Sequence, residues 1–298
     1  MEFHWIYQGA EPKQLKNFLH EQGISRKLLA KIKFQGGEIK VNNHIQNVLF
    51  RLSKNDAVAI VIPDEGEHET MLPDSMLIDI VYEDDHLLVV NKPSGIASIP
   101  AQYHPNGTMA NRVKHYYNEQ NYRDRVIHVV TRLDRDTSGL MLFAKHGFAH
   151  ALLDAQLRRR ELDKTYQALA GGKLDELAAH GWLDEPIARD MSSLMKRQVS
   201  ADGQPALTEY RLVKKDARRA LVDITLHSGR THQIRVHFAA LGCALLGDSL
   251  YEGDMTQGID RQALHCTRLR FAHPFTKELL TFECPLPEDM AALAAEII

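Results

Sequence analysis

Apolar residues in this chain come in short runs closed by Gly, Pro, Asn or Asp, and that spacing restricts the fold more than any other feature. LIDIVYEDDHLLVVNKPSG reads as strand, Asp-Asp turn and strand, ended by the breaker Lys92-Pro93-Ser94-Gly95. VIHVV (126–130), LMLFAK (140–145), KTYQALAGG, ALTEYRLV and LVDITLH add further strands, with Val222, Ile224 and Leu226 facing one way in the last. Helical spacing is confined to a few stretches. MANRVKHYYNEQ can be capped by Thr108, and HGFAHALLDAQLRRR ends on basic residues that suit the helix dipole. Strands outnumber helices and rarely alternate strictly with them. The expected class is therefore α+β, a mixed and mostly antiparallel sheet with flanking helices, rather than a doubly wound fold. There is no internal repeat, and no apolar run approaches the ~18 residues of a membrane span.

The first 63 residues differ from the rest. They read as two short helices followed by strands, a small αα-β unit. Leu15, Phe18 and Leu19 share one helix face, Gly23 supplies a stop, and Ser25 is placed to cap a second helix carrying Leu28 and Ile32. EIKVNN and AVAIVIP read as strands, the first ending in an Asn-Asn turn. This head holds nine Lys/Arg against five Asp/Glu, so +4, whereas the whole chain carries −3 and the remainder −7. A basic head on an acidic body suits a polyanionic partner. Lys27 and Lys31 lie one helical turn apart and are expected to point into solvent together. Residues 64–75, DEGEHETMLPDS, have five acids and linker composition, which divides the chain into 1–63, an acidic linker 64–75 and a body 76–298. The head resembles the alpha-L RNA-binding domain through LxxFLxxxGISRxxLxxIxxxGxIxVN, which runs here from Leu15 to Asn42. That resemblance implies RNA contacts from Arg26, Lys27 and Lys31.

Three polar clusters stand out in the body. Arg132-Leu133-Asp134-Arg135-Asp136-Thr137-Ser138-Gly139 lies between two apolar strands, where its composition fits either an ordinary turn with mutually cancelling ion pairs or a functional loop. Gly229-Arg230-Thr231-His232-Gln233-Ile234-Arg235 leads into a helix that Thr231 can cap, with Ile234, Phe238 and Leu241 on the buried face. Arg235 borders that face, so its guanidinium would be partly desolvated and would need a carboxylate. The third cluster, Lys164-Thr165-Tyr166, opens a strand, a setting in which a tyrosine is far more often core than catalytic.

Together the clusters resemble the RluA-type pseudouridine synthases, whose motifs are HRLDxxTSGL, KxYxAxxxG and GRTHQIRVHxxxxGxPxxGD. This chain reads TRLDRDTSGL from Thr131, KTYQALAGG from Lys164 and GRTHQIRVHFAALGCALLGD from Gly229. The resemblance extends from about Leu77 to Pro287, with YEDDHLLVVNKPSG and ALHCTRLRFAHP as flanks. It implies an isomerase that turns uridine within RNA into pseudouridine without a cofactor or metal. Asp134 matches the essential aspartate, whether it attacks the sugar, attacks the base or removes a sugar proton. Arg235 matches its cation, Tyr166 the tyrosine over the uracil, and Arg132 an arginine that flips and holds the nucleotide. Lys164, Arg230, His232 and Gln233 fall within the motifs as substrate or RNA contacts. Two departures, Thr131 for histidine and Ala244 for proline, lie outside the catalytic set.

The expected partner is RNA, ribosomal more than transfer RNA. A monomer is expected, since no exposed apolar stripe is evident. Cys243, Cys266 and Cys284 form no CxxC pair, and the opening residues contain no apolar secretory segment, so a reduced, cytoplasmic setting is expected. The alternative of another class is an inactive RNA-binding or ribosome-assembly factor on the same scaffold. A glycosidase using Asp134 and Asp136 is disfavoured, because two carboxylates in one tight loop lack distinct environments.

Overall fold

The computed structural model describes every residue except His68, Glu69, Tyr103 and Ile298. The head comprises β1 (Glu2–Ile6), β2 (Lys13–Gln14), α1 (Leu15–Glu21), α2 (Arg26–Phe34), β3 (Glu38–Val41), β4 (His44–Ile45), β5 (Arg51–Leu52) and β6 (Ala57–Val61). Both helices form where the apolar spacing places them. Leu15, Phe18 and Leu19 are buried, and Ser25 Oγ accepts from Leu28 N at 3.1 Å. The β3–β4 turn is Asn42-Asn43, both left-handed, as a two-residue hairpin requires.

The head does not begin with a helix. β1 precedes the helices and pairs antiparallel with β6 along Glu2–Val61 to Ile6–Ala57, giving a sheet ordered β1-β6-β3-β4. Five residues dominated by aromatics leave too short an alternation to read as a strand without β6 beside them.

The body contributes β7 (Asp79–Glu83), β8 (Leu87–Lys92), α3 (Met109–Glu119), β9 (His128–Val129), β10 (Ser138–Ala144), α4 (Gly147–Arg159), β11 (Asp163–Ala170), β12 (His180–Asp184), β13 (Ile187–Arg189), β14 (Arg197–Val199), β15 (Leu207–Lys215), β16 (Ala220–Leu226), α5 (Gln233–Ala240), β17 (Leu264–Ala272), β18 (Leu279–Glu283) and α6 (Glu288–Ala295). Among the described residues its main sheet is ordered β12-β15-β16-β11-β17-β10-β8-β7, with β18 on β17 and β9 on β10. Every pairing is antiparallel except β10 with β17, so the sheet is mixed, as the α+β reading expects. VIHVV shrinks to the two residues of β9. The small β13–β14 hairpin has no counterpart in the sequence reading.

The parallel contact matters for the site. Ser138 and Gly139 lie beside His265 and Cys266 directly after the polar loop. Gly139 has φ +112, and a Cβ there would sit 2.3 Å from Cys266 O. Only glycine lets β10 meet β17 at this point.

Head and body share a core. Phe3 of β1 meets Phe148 of α4 edge-on and stacks with Phe275, both at 5.0 Å between ring centroids. The acidic stretch, of which His68 and Glu69 lie outside the described residues, is strapped down rather than free. Asn111, Arg112 and Lys114 of α3 hold Leu72 O, Asp74 and Met71 O. Its acids and carbonyls answer a buried polar face of α3. Lys31 is also corrected. It reaches Glu65 at 3.4 Å instead of pointing into solvent with Lys27.

Glu65 is the junction's anchor, lying 2.6 Å from His128 Nε2 and accepting from Gly147 N at 3.1 Å. Burial alone would raise its pKa. The His128 hydrogen bond and the His128 and Lys31 charges overturn this and hold it at about 2. Because the folded value is depressed below the ordinary 4.5, its stabilisation is complete above that pH and fades as pH falls towards 2. Glu65→Gln should cost ~2 kcal/mol at pH 7 in urea unfolding, and its deficit against wild type should shrink below pH 4.5. A deficit that is constant with pH would contradict this role.

Candidate active site

The polar loop between β9 and β10 is fastened at successive backbone positions. Ser98 Oγ donates to Leu133 O at 2.6 Å and accepts from Leu133 N at 3.0 Å. Lys92 Nζ, fully buried, donates to Arg135 O, Pro93 O and Ile96 O at 2.7–2.8 Å. Arg261 Nη1 donates to Asp136 O at 3.1 Å, and Gln262 Nε2 to Thr137 Oγ1 at 3.2 Å. Thr131, in place of the family's histidine, accepts from Leu142 N at 2.9 Å and so supports the loop. Burial drives the Lys92 pKa down to about 7 against the pull of Asp136 and Asp134. These fastenings hold a rigid loop rather than a solvated turn.

Within it the two aspartates diverge. Asp136 is bound at both oxygens by its neighbour Arg135, 2.8 Å to each, in a half-exposed pair. Asp134 pairs with neither loop arginine. Its Oδ2 lies 3.3 Å from Arg235 Nη1, contributed by α5, with the side chain 27% exposed. Arg235 is itself gripped by a second carboxylate, Asp248, through Nε at 2.7 Å and Nη2 at 2.8 Å. The Tyr251 ring covers it, 5.0 Å from the guanidinium carbon. Burial opposes the Arg235 charge, but the Asp248 hydrogen bonds and the Asp248 and Asp134 charges outweigh it and raise its pKa. Asp134 thus faces a cation that cannot move away from it. No paired acid and base of the glycosidase kind results, since Asp136 and Asp248 are both committed to arginines.

Asp134 opens into a cavity of about 770 Å³. Tyr166 forms part of its wall, aimed by a bulge between Thr165 and Tyr166 where β11 pairs with β17. Burial, then Cys266 and Asp134, push its phenol well above 10, so the ring stays a neutral O–H. Lys164, Arg132, Arg230 and His232 also line the cavity. Burial lowers the Lys164 pKa, with Arg132 adding to the effect. Arg132 and Arg230 are exposed at the cavity, Arg230 held by Pro205 O at 3.0 Å. Gln233 lines the cavity too, with its amide engaged locally: it accepts from Ser228 Oγ and Arg230 N and donates to Leu207 O and Thr208 Oγ1. Thr231 does not cap α5. His232 occupies that position at φ 57, with no side-chain cap. Among the described residues no group of three or more His, Cys, Asp or Glu side chains could hold a metal ion.

Comparison with known proteins identifies the family. The family model for RNA pseudouridylate synthase matches residues 86–240, the span that carries Asp134, Tyr166 and Arg235. The chain belongs to the RluA-type RNA pseudouridine synthases. The uncharacterized RNA pseudouridine synthase YjbO of Bacillus subtilis is 42% identical to the synthase over 279 residues, covering 94% of this chain and 97% of its own. The ribosomal large subunit pseudouridine synthase D of Vibrio parahaemolyticus is 40% identical over 229 residues, covering 72% of this chain and 69% of its own. Human RNA pseudouridylate synthase domain containing 1 shares the fold, with a TM-score of 0.60 at 22% identity over 74% of this chain and 89% of that one. No helix among the described residues is long and apolar enough to cross a membrane.

Asp134, Tyr166, Arg132, Lys164, Arg230, His232, Gln233 and Arg235, all named from the sequence, line one cavity, whereas Asp248, Tyr251 and Lys92 are not among the residues the sequence points to. The signal for Asp248 was the closing Gly-Asp of the third motif, and that for Lys92 was a lysine inside an apparent breaker. Asp248→Asn should cost ~3 kcal/mol in urea unfolding, because it weakens the pairing of a buried guanidinium. It should also slow single-turnover pseudouridine formation at least ~10-fold, the kinetic equivalent of ~1.4 kcal/mol. Asp289→Asn, which weakens a more exposed pair with Arg261, should cost under ~1 kcal/mol and leave the rate unchanged. Equal stability losses in the two would contradict the special standing of Asp248.

Proposed function

We propose that the synthase modifies uridines of ribosomal RNA, using Asp134 as its catalytic carboxylate. The observation that carries this reading is the Arg235–Asp134 contact at 3.3 Å, made at a cavity by a guanidinium already anchored elsewhere. The cavity accommodates a nucleotide that has left its stack, a step that costs a few kcal/mol and favours loops and bulges. The C1′–N1 bond of the uridine breaks, the uracil turns, and C5 is joined to C1′ as the C5 proton departs and N1 takes up a proton. Asp134 supplies the carboxylate for this exchange and Arg235 keeps it in place. Tyr166, a neutral phenol, covers a uracil face. Arg132, Lys164 and Arg230 supply positive charge for the flanking phosphates.

Ribosomal RNA is favoured because relatives named ribosomal large subunit pseudouridine synthase D are 34–40% identical over most of this chain. The head, read as an alpha-L-type module over 1–63 ahead of a catalytic body over 76–298, serves as the RNA anchor. Its exposed cations Arg26 and Lys27 on α2 are the natural contacts. Lys31, engaged by Glu65, contributes less.

Carbodiimide-stop mapping of total RNA from cells with and without the gene tests the substrate. Loss of one or a few ribosomal sites, restored by the wild-type gene, is expected. Loss confined to transfer RNA would overturn the ribosomal assignment. Because head and body share a core, charge reversal tests the anchor better than deletion. Arg26→Glu with Lys27→Glu should weaken RNA binding and lower the slope of log K against log salt by about 1.5–2. An unchanged slope would remove these residues from the interface.

A further inference from the structure

We infer that Tyr251 and His232 form a positioning pair that fixes a proton on His232 Nε2, facing Asp134. The inference rests on the reading of Asp134 as the catalytic carboxylate, and it concerns groups that reading does not use.

His232 is held in the left-handed region at φ 57, an unusual conformation for a residue with a Cβ, and its side chain makes no cap to α5. Both ring nitrogens point at named partners. Nδ1 lies 2.9 Å from the Tyr251 hydroxyl, and Nε2 lies 3.9 Å from Asp134 Oδ2. The direction of the first hydrogen bond follows from the third partner. Arg197 N, at the start of β14, donates to the Tyr251 hydroxyl oxygen at 2.9 Å. Tyr251 is buried, and among the described residues Nδ1 is the acceptor left for its own proton. Tyr251 therefore donates to Nδ1, and neutral His232 carries its hydrogen on Nε2.

The charged surroundings favour that neutral form. Burial lowers the His232 pKa first. Arg235 and Arg197 add to the lowering, while Asp134 and Asp248 oppose it. Asp134 is thus approached by two donors, the Arg235 guanidinium at 3.3 Å and the imidazole N–H at 3.9 Å. The second gap is too long for a hydrogen bond as it stands, and a movement of about 1 Å closes it. A neutral donor steers the carboxylate without the loss of basicity that a second full cation would impose. The same chain of contacts ties the β13–β14 hairpin, through its Arg197 amide, to the catalytic carboxylate.

Tyr251→Phe removes the hydroxyl and leaves the ring over Arg235. We expect a single-turnover rate at least ~10-fold lower with unchanged RNA affinity. The acid limb of the pH–rate profile should move up, because His232 loses the O–H that competes with a proton for Nδ1. In protein labelled with 15N-histidine, the His232 resonances should report the Nε2–H tautomer near pH 7. They are assigned by their loss in His232→Gln or, if that variant does not fold, by their shift in Tyr251→Phe. A wild-type rate and pH profile in Tyr251→Phe would overturn the pair, as would an Nδ1–H tautomer in active enzyme. The NMR arm needs no turnover. An Nε2–H tautomer in a wild type that makes no pseudouridine would support the pair and sink the catalytic assignment of Asp134 instead.

Discussion

One guanidinium joins the parts on which the chemistry depends. Arg235 leaves α5, is forked by Asp248 from the turn after Gly247, and reaches across to Asp134 on the β9–β10 loop. A buried cation of this kind is costly unless both its charge and its N–H groups are answered. Asp248 takes Nε and Nη2, which leaves Nη1 for Asp134. Gly247 makes the turn possible, because its φ of +70 and the approach of Arg261 O leave no room for a Cβ. Remove the fork and the guanidinium has only Asp134 left to neutralise it.

The opposing wall is arranged with similar economy. The Asp134 loop is fixed through its backbone by Ser98, Lys92, Arg261 and Gln262, so the side chains of Arg132 and Asp134 remain available at the cavity. A backbone held independently of the side chains is what precise positioning at a site requires. The head is built into the same frame. Phe3 and Glu65 connect it to α4 and to β9, which fixes the place of α2 relative to Asp134.

Much of this was legible in the sequence, and unevenly so. Local signals read well. The apolar spacing of α1, the Ser25 and Thr108 caps and the Asn42-Asn43 turn are contained within a few residues. Arg235 was also seen to need a carboxylate. Which one it finds is a long-range fact: Asp248 lies 13 positions on and Asp134 lies 101 away. β1 carries no local signal and Lys31 is expected in solvent for the same reason, since β6 and Glu65 explain them only once the chain has folded. Gln233 shows a further limit. Its amide bonds both its own loop and β15, and nothing in the motif announces the β15 partners.

The account stands on Asp134 performing chemistry rather than binding. The most direct measurement is tritium release from 5-tritiated uridine in ribosomal RNA by Asp134→Asn, run beside its RNA affinity. The account predicts no detectable release with a Kd within about three-fold of wild type, because charge is removed while shape is kept. Substantial release by Asp134→Asn would contradict it.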